Sequence, residues 1–285
     1  MALDYSRAGD WILREDSFDP EHLGKCEAVM CLGNGYLGLR SAMEEKYLNE
    51  TRDLLINGTF NQFDPSAVTE LPNAADMTAI ELTVNQERFT LEQGSIDFYS
   101  RELNIRKAEL KREAVWISPK GEQFSLTFRR VVSLDRLHDF AIQVQITPLS
   151  NDAEIEIKSG IDGRVTNTGA QHFTEGDMRL YEGKHIQYVQ KTTQSGITFA
   201  LNTAHRFWTE DEELELSAQL HMEVRKIYGI YRTRVKKGET LKIEKYCNVY
   251  TTRDLELQGK TVKEMQAFSL EKLKEQKALG YAKLA

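Results

Sequence analysis

Strict alternation of apolar and polar residues narrows what this chain can fold into more than any other feature. "FAIQVQIT" and "AEIEIKSGI" alternate without a break. Successive side chains of a strand point to opposite faces, so a period of two marks strands with one covered face. "ELTVNQERFTL" alternates on both sides of an Asn-Gln-Glu turn, and "AVWISPKGEQFSLTFRRVVSL" has Pro-Lys-Gly between two β-prone runs. "HIQYVQKTTQSGITFALNT" reads as another hairpin with Gly in its turn. "IYGIYRTRVKKGETLKIEKYCNVYTT" reads as two long runs paired across Lys-Lys-Gly. Roughly a dozen short-turned strands of this kind predict an all-β sandwich or barrel.

Helical period is clear only at the end. "TVKEMQAFSLEKLKEQKALGYAKLA" spaces Val262, Met265, Leu270, Leu273 and Leu279 among Lys and Glu. No Gly or Asn stop is read at its end. Such a helix either folds back on the sheets or links to a following segment. Nearer the start, "LRSAMEEKYL" predicts a short helix, and "NGTFNQFDPSAVTELPNAAD" predicts a long loop from its Asn, Asp and Pro. Long ordered loops are often functional.

The formal net charge of −7 argues against nucleic acid as a partner. The basic run "RKAELKR" is expected on the solvated face of a strand. With 40% hydrophobic and 28% charged residues in 285, the chain is soluble-globular and long enough for one large domain or two small ones. No stretch nears the roughly 18 apolar residues of a membrane span, and no signal peptide is read. The expected compartment is the cytoplasm. The sequons at Asn49 and Asn57 are read as chance matches.

One short stretch carries an ambiguous motif. "CEAVMCLGNGYLGLRS" contains Gly33, Gly35 and Gly38 in G-x-G-x-x-G spacing. A dinucleotide turn needs strand, helix and a crossover to a parallel strand. Hairpins follow instead, so the nucleotide reading fails. A hairpin centred on Asn34-Gly35 as a type I′ turn is expected, because that pair favours positive φ. Leu32 then faces Leu37, Met30 faces Leu39 and Cys31 faces Gly38. Tyr36 and Arg40 share the second face, where Gly38 lets a backbone or ligand approach.

Conventional catalytic signatures are missing from the sequence. The six histidines (22, 138, 172, 185, 205 and 221) have no zinc spacing, and there is no G-x-S-x-G elbow. No metal is expected, and Cys26 and Cys31 are read as buried thiols.

The residues do carry a family likeness. "DWILREDSFDPEHLGK" followed by "CEAVMCLGNGYLGLR" resembles the start of glycoside hydrolase family 65, which includes maltose, trehalose, kojibiose and nigerose phosphorylases. The likeness continues through "INGTFNQF", "VTELPNAADMTAIELTVNQERFTLEQGSI", "YSRELNIRKAELKREAVW", "FRRVVSLDRLH" and "IDGRVTNTG". It implies a large antiparallel sandwich of the galactose-mutarotase type over residues 1–254. It also implies a helical linker over 255–285, leading to a catalytic (α/α)6 barrel that lies outside this chain. The family chemistry is inverting phosphorolysis or hydrolysis of α-glucosides, with inorganic phosphate as a substrate rather than a cofactor. No position here matches the barrel's catalytic motifs, so the chain alone is expected to be inactive. Its expected partners are its own barrel, carbohydrate through that barrel, and a second copy. Candidate contacts with the barrel are Asn34, Gly35, Tyr36, Gly38, Arg40, Asn57, Phe60 and Asn61. Two alternatives stand beside this reading. One is mutarotase-like catalysis by His172 and His185 with Glu175 or Glu182. The other is a carbohydrate-binding module using Trp11, Trp116 or Trp208.

Overall fold

The alternating stretches assemble into two stacked antiparallel sheets. The computed structural model describes residues 11–210 and 212–285. In chain order the elements begin with β1 (Ile12–Glu15), α1 (Leu23–Val29), β2 (Leu32–Gly33), β3 (Leu37–Leu39) and β4 (Leu54–Ile56). Next come β5 (Asn61–Gln62), β6 (Thr69–Glu70), β7 (Ile80–Val84), β8 (Glu87–Arg88) and β9 (Ser95–Asn104). The central strands are β10 (Glu109–Ile117), β11 (Gln123–Val132), β12 (Asp139–Pro148), β13 (Ala153–Asp162) and β14 (Asp177–Tyr181). The rest are β15 (His185–Lys191), β16 (Thr198–Thr209), β17 (Glu212–Leu214), β18 (Gln219–Glu223), β19 (Lys226–Val235), β20 (Leu241–Thr251) and α2 (Val262–Leu279).

Ten strands form the larger sheet in the order β1-β9-β10-β11-β12-β20-β16-β15-β14, with β17 added on β16. Five form the smaller one, β18-β19-β13-β7-β8. The main core lies between them, and includes Trp116, Phe128, Phe140, Ile142, Leu201, Ile155 and Ile157. Every one of these residues sits on the inward set of its strand, as the alternation requires.

Several local expectations need correction. The runs "IYGIYRTRV" and "LKIEKYCNVYTT" are not hairpin partners. β19 pairs with β13 and β18, whereas β20 pairs with β12 and β16. The Lys-Lys-Gly connection therefore arches from one sheet to the other, with Gly238 N–H bonding Pro148 O at 2.8 Å. The segment "LRSAMEEKYL" forms no helix, since Ser41 to Glu45 run as irregular buried chain between other elements. Residues 26–29, which lead into the glycine motif, are helical in α1. In "RKAELKR", Arg106 and Lys107 are solvated as expected, but Arg112 is buried. Cys31 is exposed, while Cys26 and Cys247 are buried, and burial pushes both thiols up to about 11.

α2 opens with a capping box. Thr261 accepts from the Glu264 N–H, and Glu264 reaches back to the Thr261 N–H. It stops at Gly280, whose φ of +79° overturns the expectation of a helix end without a glycine stop. Its apolar stripe lies on the outer face of the larger sheet. Leu270 and Leu273 pack with Val131, Ala141, Ala204 and Tyr246, and Met265 packs with Ala200 and Tyr250.

Candidate functional site

Two regions concentrate polar side chains, and they behave differently. The first is a charged stripe inside the sandwich. Arg101 on β9, Arg112 on β10 and Arg130 on β11 all project inward, where their strand positions would predict apolar residues. The irregular chain over residues 41–45 supplies their partners. Glu44 accepts from Arg130 Nη2 at 2.6 Å and from Arg112 Nη2 at 3.1 Å. Glu45 takes both terminal nitrogens of Arg112, whose guanidinium lies 4.0 Å over the Phe128 ring. Arg101 bonds the Ser41 carbonyl. Arg52 ties the same segment down through Glu50 at 2.6 Å, Thr78 at 2.8 Å and the Met43 carbonyl at 2.6 Å. Burial raises the Glu44 carboxyl, but Arg130 and Arg112 outweigh it and hold the group below its ordinary value. Each carboxylate of this pair and its arginines are mutually committed. The stripe can fasten an irregular segment to a sheet; it offers no proton at a free surface.

Lys245 on β20 extends the inner polar set by another route. Its ammonium donates to the Ala79 and Gly160 carbonyls at 3.1 and 2.9 Å, and burial pushes its pKa down to about 8. Beside it, His205 is held between Ser159 Oγ at 3.0 Å and Tyr231 Oη at 3.2 Å. Burial, reinforced by Lys245 and Lys277, drives its pKa well down, so the ring is neutral.

The second region is the glycine hairpin with the loop beside it. The hairpin register is Leu32↔Leu39 and Gly33↔Gly38, two residues away from the expected one. Asn34 does not adopt positive φ; only Gly35 does, at +88°. The turn is instead an Asx type. Asn34 Oδ1 accepts from the Tyr36 and Leu37 N–H groups at 3.1 and 3.0 Å, and this pre-empts the two-residue turn. A shift of two preserves the faces. Leu32, Leu37 and Leu39 still point inward, while Gly38 and Gly33 lie on the outer face.

The candidate residues then divide. Asn34 Nδ2 donates to the Ser133 and Leu137 carbonyls at 2.7 and 2.8 Å, pinning the tip to the β11–β12 turn. Tyr36 Oη donates to Asp254 at 3.0 Å, and its ring packs on His138 with centroids 4.2 Å apart. Burial, with Asp254 adding to it, raises the Tyr36 phenol. Arg40 spans Gly24 O at 2.8 Å and Glu27 at 3.3 Å, so it clamps α1. Asn57 closes on the Gly35 carbonyl at 3.1 Å. Asn61 is fully inside. Its Nδ2 approaches His172 Nδ1 at 2.9 Å, and its Oδ1 accepts from the Gln194 and Ser195 N–H groups at 3.0 and 2.9 Å. These five side chains are used up within the domain.

Gly38 and Phe60 are not. A Cβ added at Gly38 meets no atom within 4 Å, and its φ is not positive. Phe60 is 52% exposed, and along the same loop Phe63 is 46% and Val68 78% exposed. The loop is nonetheless ordered by its own bonds. Asp64 accepts from Ser66, and Gln62 reaches the Ala67 carbonyl at 2.8 Å. Phe63 and Val68 were not singled out in the sequence, although their place in a polar loop is itself a signal of outward display.

The alternative sites take other forms. His172 finds Glu70 at 2.9 Å rather than Glu175, and its second nitrogen faces Asn61. His185 stands 3.6 Å from Glu182, whose carboxylate is held by Lys274 at 2.8 Å. Of the tryptophans, Trp116 is core, Trp208 is covered by the Arg206 and Lys242 cations, and Trp11 is 54% exposed. Among the described residues, no group of three or more His, Cys, Asp or Glu is placed to hold a metal ion.

Comparison with known proteins bears on these surfaces. The model of the glycosyl hydrolase family 65 N-terminal domain matches residues 13–285. A kojibiose phosphorylase of Halothermothrix orenii is 39% identical over 253 residues, covering 89% of this chain and 32% of that protein. A kojibiose phosphorylase of Escherichia coli is 38% identical over 65% of this chain and 24% of its own length. An alpha,alpha-trehalose phosphorylase of Thermoanaerobacter brockii is 29% identical over 95% of this chain and 37% of its own. A solved chain named as a candidate kojibiose phosphorylase from human microbiome superposes with a TM-score of 0.83 at 17% identity, over 96% of this chain and 36% of that one. The chain thus spans about a third or less of the length of the first two curated relatives.

Proposed function

This chain belongs to glycosyl hydrolase family 65 through its N-terminal domain, and from that premise we propose that it is the non-catalytic scaffold of an α-glucoside phosphorylase. In that reaction inorganic phosphate attacks the anomeric carbon of an α-linked glucose disaccharide. The glycosidic C–O bond breaks on the opposite side, and a carboxylic acid outside this chain protonates the departing oxygen. Glucose 1-phosphate and glucose result. The names of the relatives support a kojibiose- or trehalose-type substrate. Free thiols at Cys26, Cys31 and Cys247 support a cytoplasmic setting.

The observation that carries the scaffold reading is the contrast at the hairpin. Nothing within the domain requires glycine at 38, so the bare face there is read as room for a catalytic barrel. Phe60 and Phe63 supply apolar anchors beside it. The test is phosphorolysis of kojibiose and of trehalose by the purified chain and by the intact gene product. Glucose 1-phosphate is expected from the intact protein alone. Release by the 285-residue chain would end the proposal.

A further inference from the structure

The larger sheet has a notch in it. β15 pairs with β16 only as far as His185↔Ala204, and β17 rejoins β16 only from Phe207↔Leu214. Between them, His205 and Arg206 face a cavity of about 370 Å³, within the range of small-molecule sites. The neutral ring of His205 and Tyr231 lie at its inner side, Phe207 and Leu214 give it apolar wall, and Lys277 of α2 enters from the outer face.

The charges around the notch are unevenly paired. Glu213 is gripped by Arg206 through two bonds of 2.7 and 2.6 Å. Glu215 takes Lys184 at 3.0 Å, and Glu182 takes Lys274 at 2.8 Å. Lys277 is half-buried and, among the described residues, has no carboxylate within 4 Å and no acceptor for its ammonium. Burial lowers its pKa, the nearby cations Lys184 and Arg206 lower it further, and the more distant carboxylates Glu213 and Glu215, each held by its own cation, only partly oppose them. An anion is the partner that such an ammonium lacks.

We propose that this notch binds a phosphate group, free or carried on a hexose, with Lys277 as its principal cation. Lys184 is 55% exposed at the rim and exchanges its solvent-screened contact with Glu215 for the ligand at little cost. A hexose attached to the phosphate lies against the half-buried Leu214 and Leu216, where a sugar's apolar face finds cover. The choice of sugar phosphate as ligand rests on the phosphorylase reading, but binding by this chain does not depend on its being inactive.

The test is calorimetric titration of the chain with inorganic phosphate, glucose 1-phosphate and glucose, alongside Lys277→Met and Lys184→Met. Phosphate or glucose 1-phosphate is expected to bind, and Lys277→Met to weaken it at least about tenfold, as for loss of a charged hydrogen bond. Lys184→Met is expected to weaken it about two- to threefold. Tighter binding of glucose 1-phosphate than of phosphate assigns the site to the sugar ester, and the reverse order assigns it to the free ion. Amide shifts confined to residues 205–207 and 213–217 supply a second reading that needs no variant. Absence of binding at millimolar ligand, equal binding of glucose, or unchanged affinity in Lys277→Met overturns the proposal. None of these outcomes bears on whether the chain releases glucose 1-phosphate.

Discussion

The inner charged stripe and the outer glycine face are both departures from what a sandwich strand ordinarily carries, and they depart in opposite directions. In the stripe, three arginines occupy core positions, and a neighbouring irregular segment brings carboxylates and carbonyls to them. On the face, side chains are withheld at Gly33 and Gly38, and aromatic rings are turned outward at Phe60 and Phe63. Internal arginine partners for both buried carboxylates, Glu44 and Glu45, identify the first as structural, even though Arg112 Nε and Arg130 Nε and Nη1 find no hydrogen-bond partner. A glycine without internal cause is the observation behind the proposal that the second meets something outside the domain. Polarity or apolarity by itself does not separate the two; the partner list does.

Breaking the stripe has the largest expected effect. Arg112→Met leaves Glu45 buried without its cation, at a cost of about 3–5 kcal/mol in urea unfolding. Adding Glu45→Met in the same chain should restore most of that loss, because Glu44 keeps Arg130. A cost below about 1 kcal/mol for the single change would mean that Arg112 does not hold Glu45 as a buried pair.

The Lys245 arm of the stripe gives the next effect, read through pH. Burial lowers this lysine from 10.5 to about 8, so between those values the unfolded chain holds more proton than the folded one. Stability contributed by Lys245 therefore rises with pH across that window. From pH 8 to about 9.5, below tyrosine ionisation, wild type should gain about 1–2 kcal/mol relative to Lys245→Met. Parallel curves for the two proteins would contradict the assignment.

The hairpin tip is expected to respond less. Gly35→Val meets no atom within 4 Å, so only its φ of +88° is penalised. That is about 1–2 kcal/mol of backbone strain, seen as a lower melting temperature. The smallest effect on the isolated chain belongs to Gly38→Leu, expected within about 0.5 kcal/mol of wild type. In the intact protein the same change should lower activity or subunit integrity. A large destabilisation of the isolated chain would instead give Gly38 an internal role.

The sequence carried the strands far better than their partners. Alternation in "FAIQVQIT" and "AEIEIKSGI" marks β12 and β13 directly, and the Asn-Gln-Glu turn places Asn85 and Gln86, both at positive φ, at the tip of the β7–β8 hairpin. Alternation fixes a strand's faces but not which sheet receives it. Hence β19 and β20 read as a hairpin, although their connection crosses between sheets. "LRSAMEEKYL" misleads for another reason. Hydropathy treats Glu44 and Glu45 as solvated, and nothing local announces that Arg112 and Arg130, some 67 to 86 residues later, will meet them in the core. On the proposed docking face, Gly38 and Phe60 are open to solvent, and both stand out in the chain itself as a glycine within a strand and an aromatic within a polar loop. Asn61 was misassigned to that face. Its partners His172, Gln194 and Ser195 lie 111 to 134 residues away, beyond any local pattern.

Amide hydrogen exchange tests the scaffold account most directly, comparing the isolated chain with the intact gene product. Residues 33–38 and 57–68 should exchange at least about tenfold more slowly in the intact protein, while the stripe over 41–45 is equally protected in both. Equal exchange at 33–38 and 57–68 in the two proteins would contradict the claim that this face receives the catalytic portion.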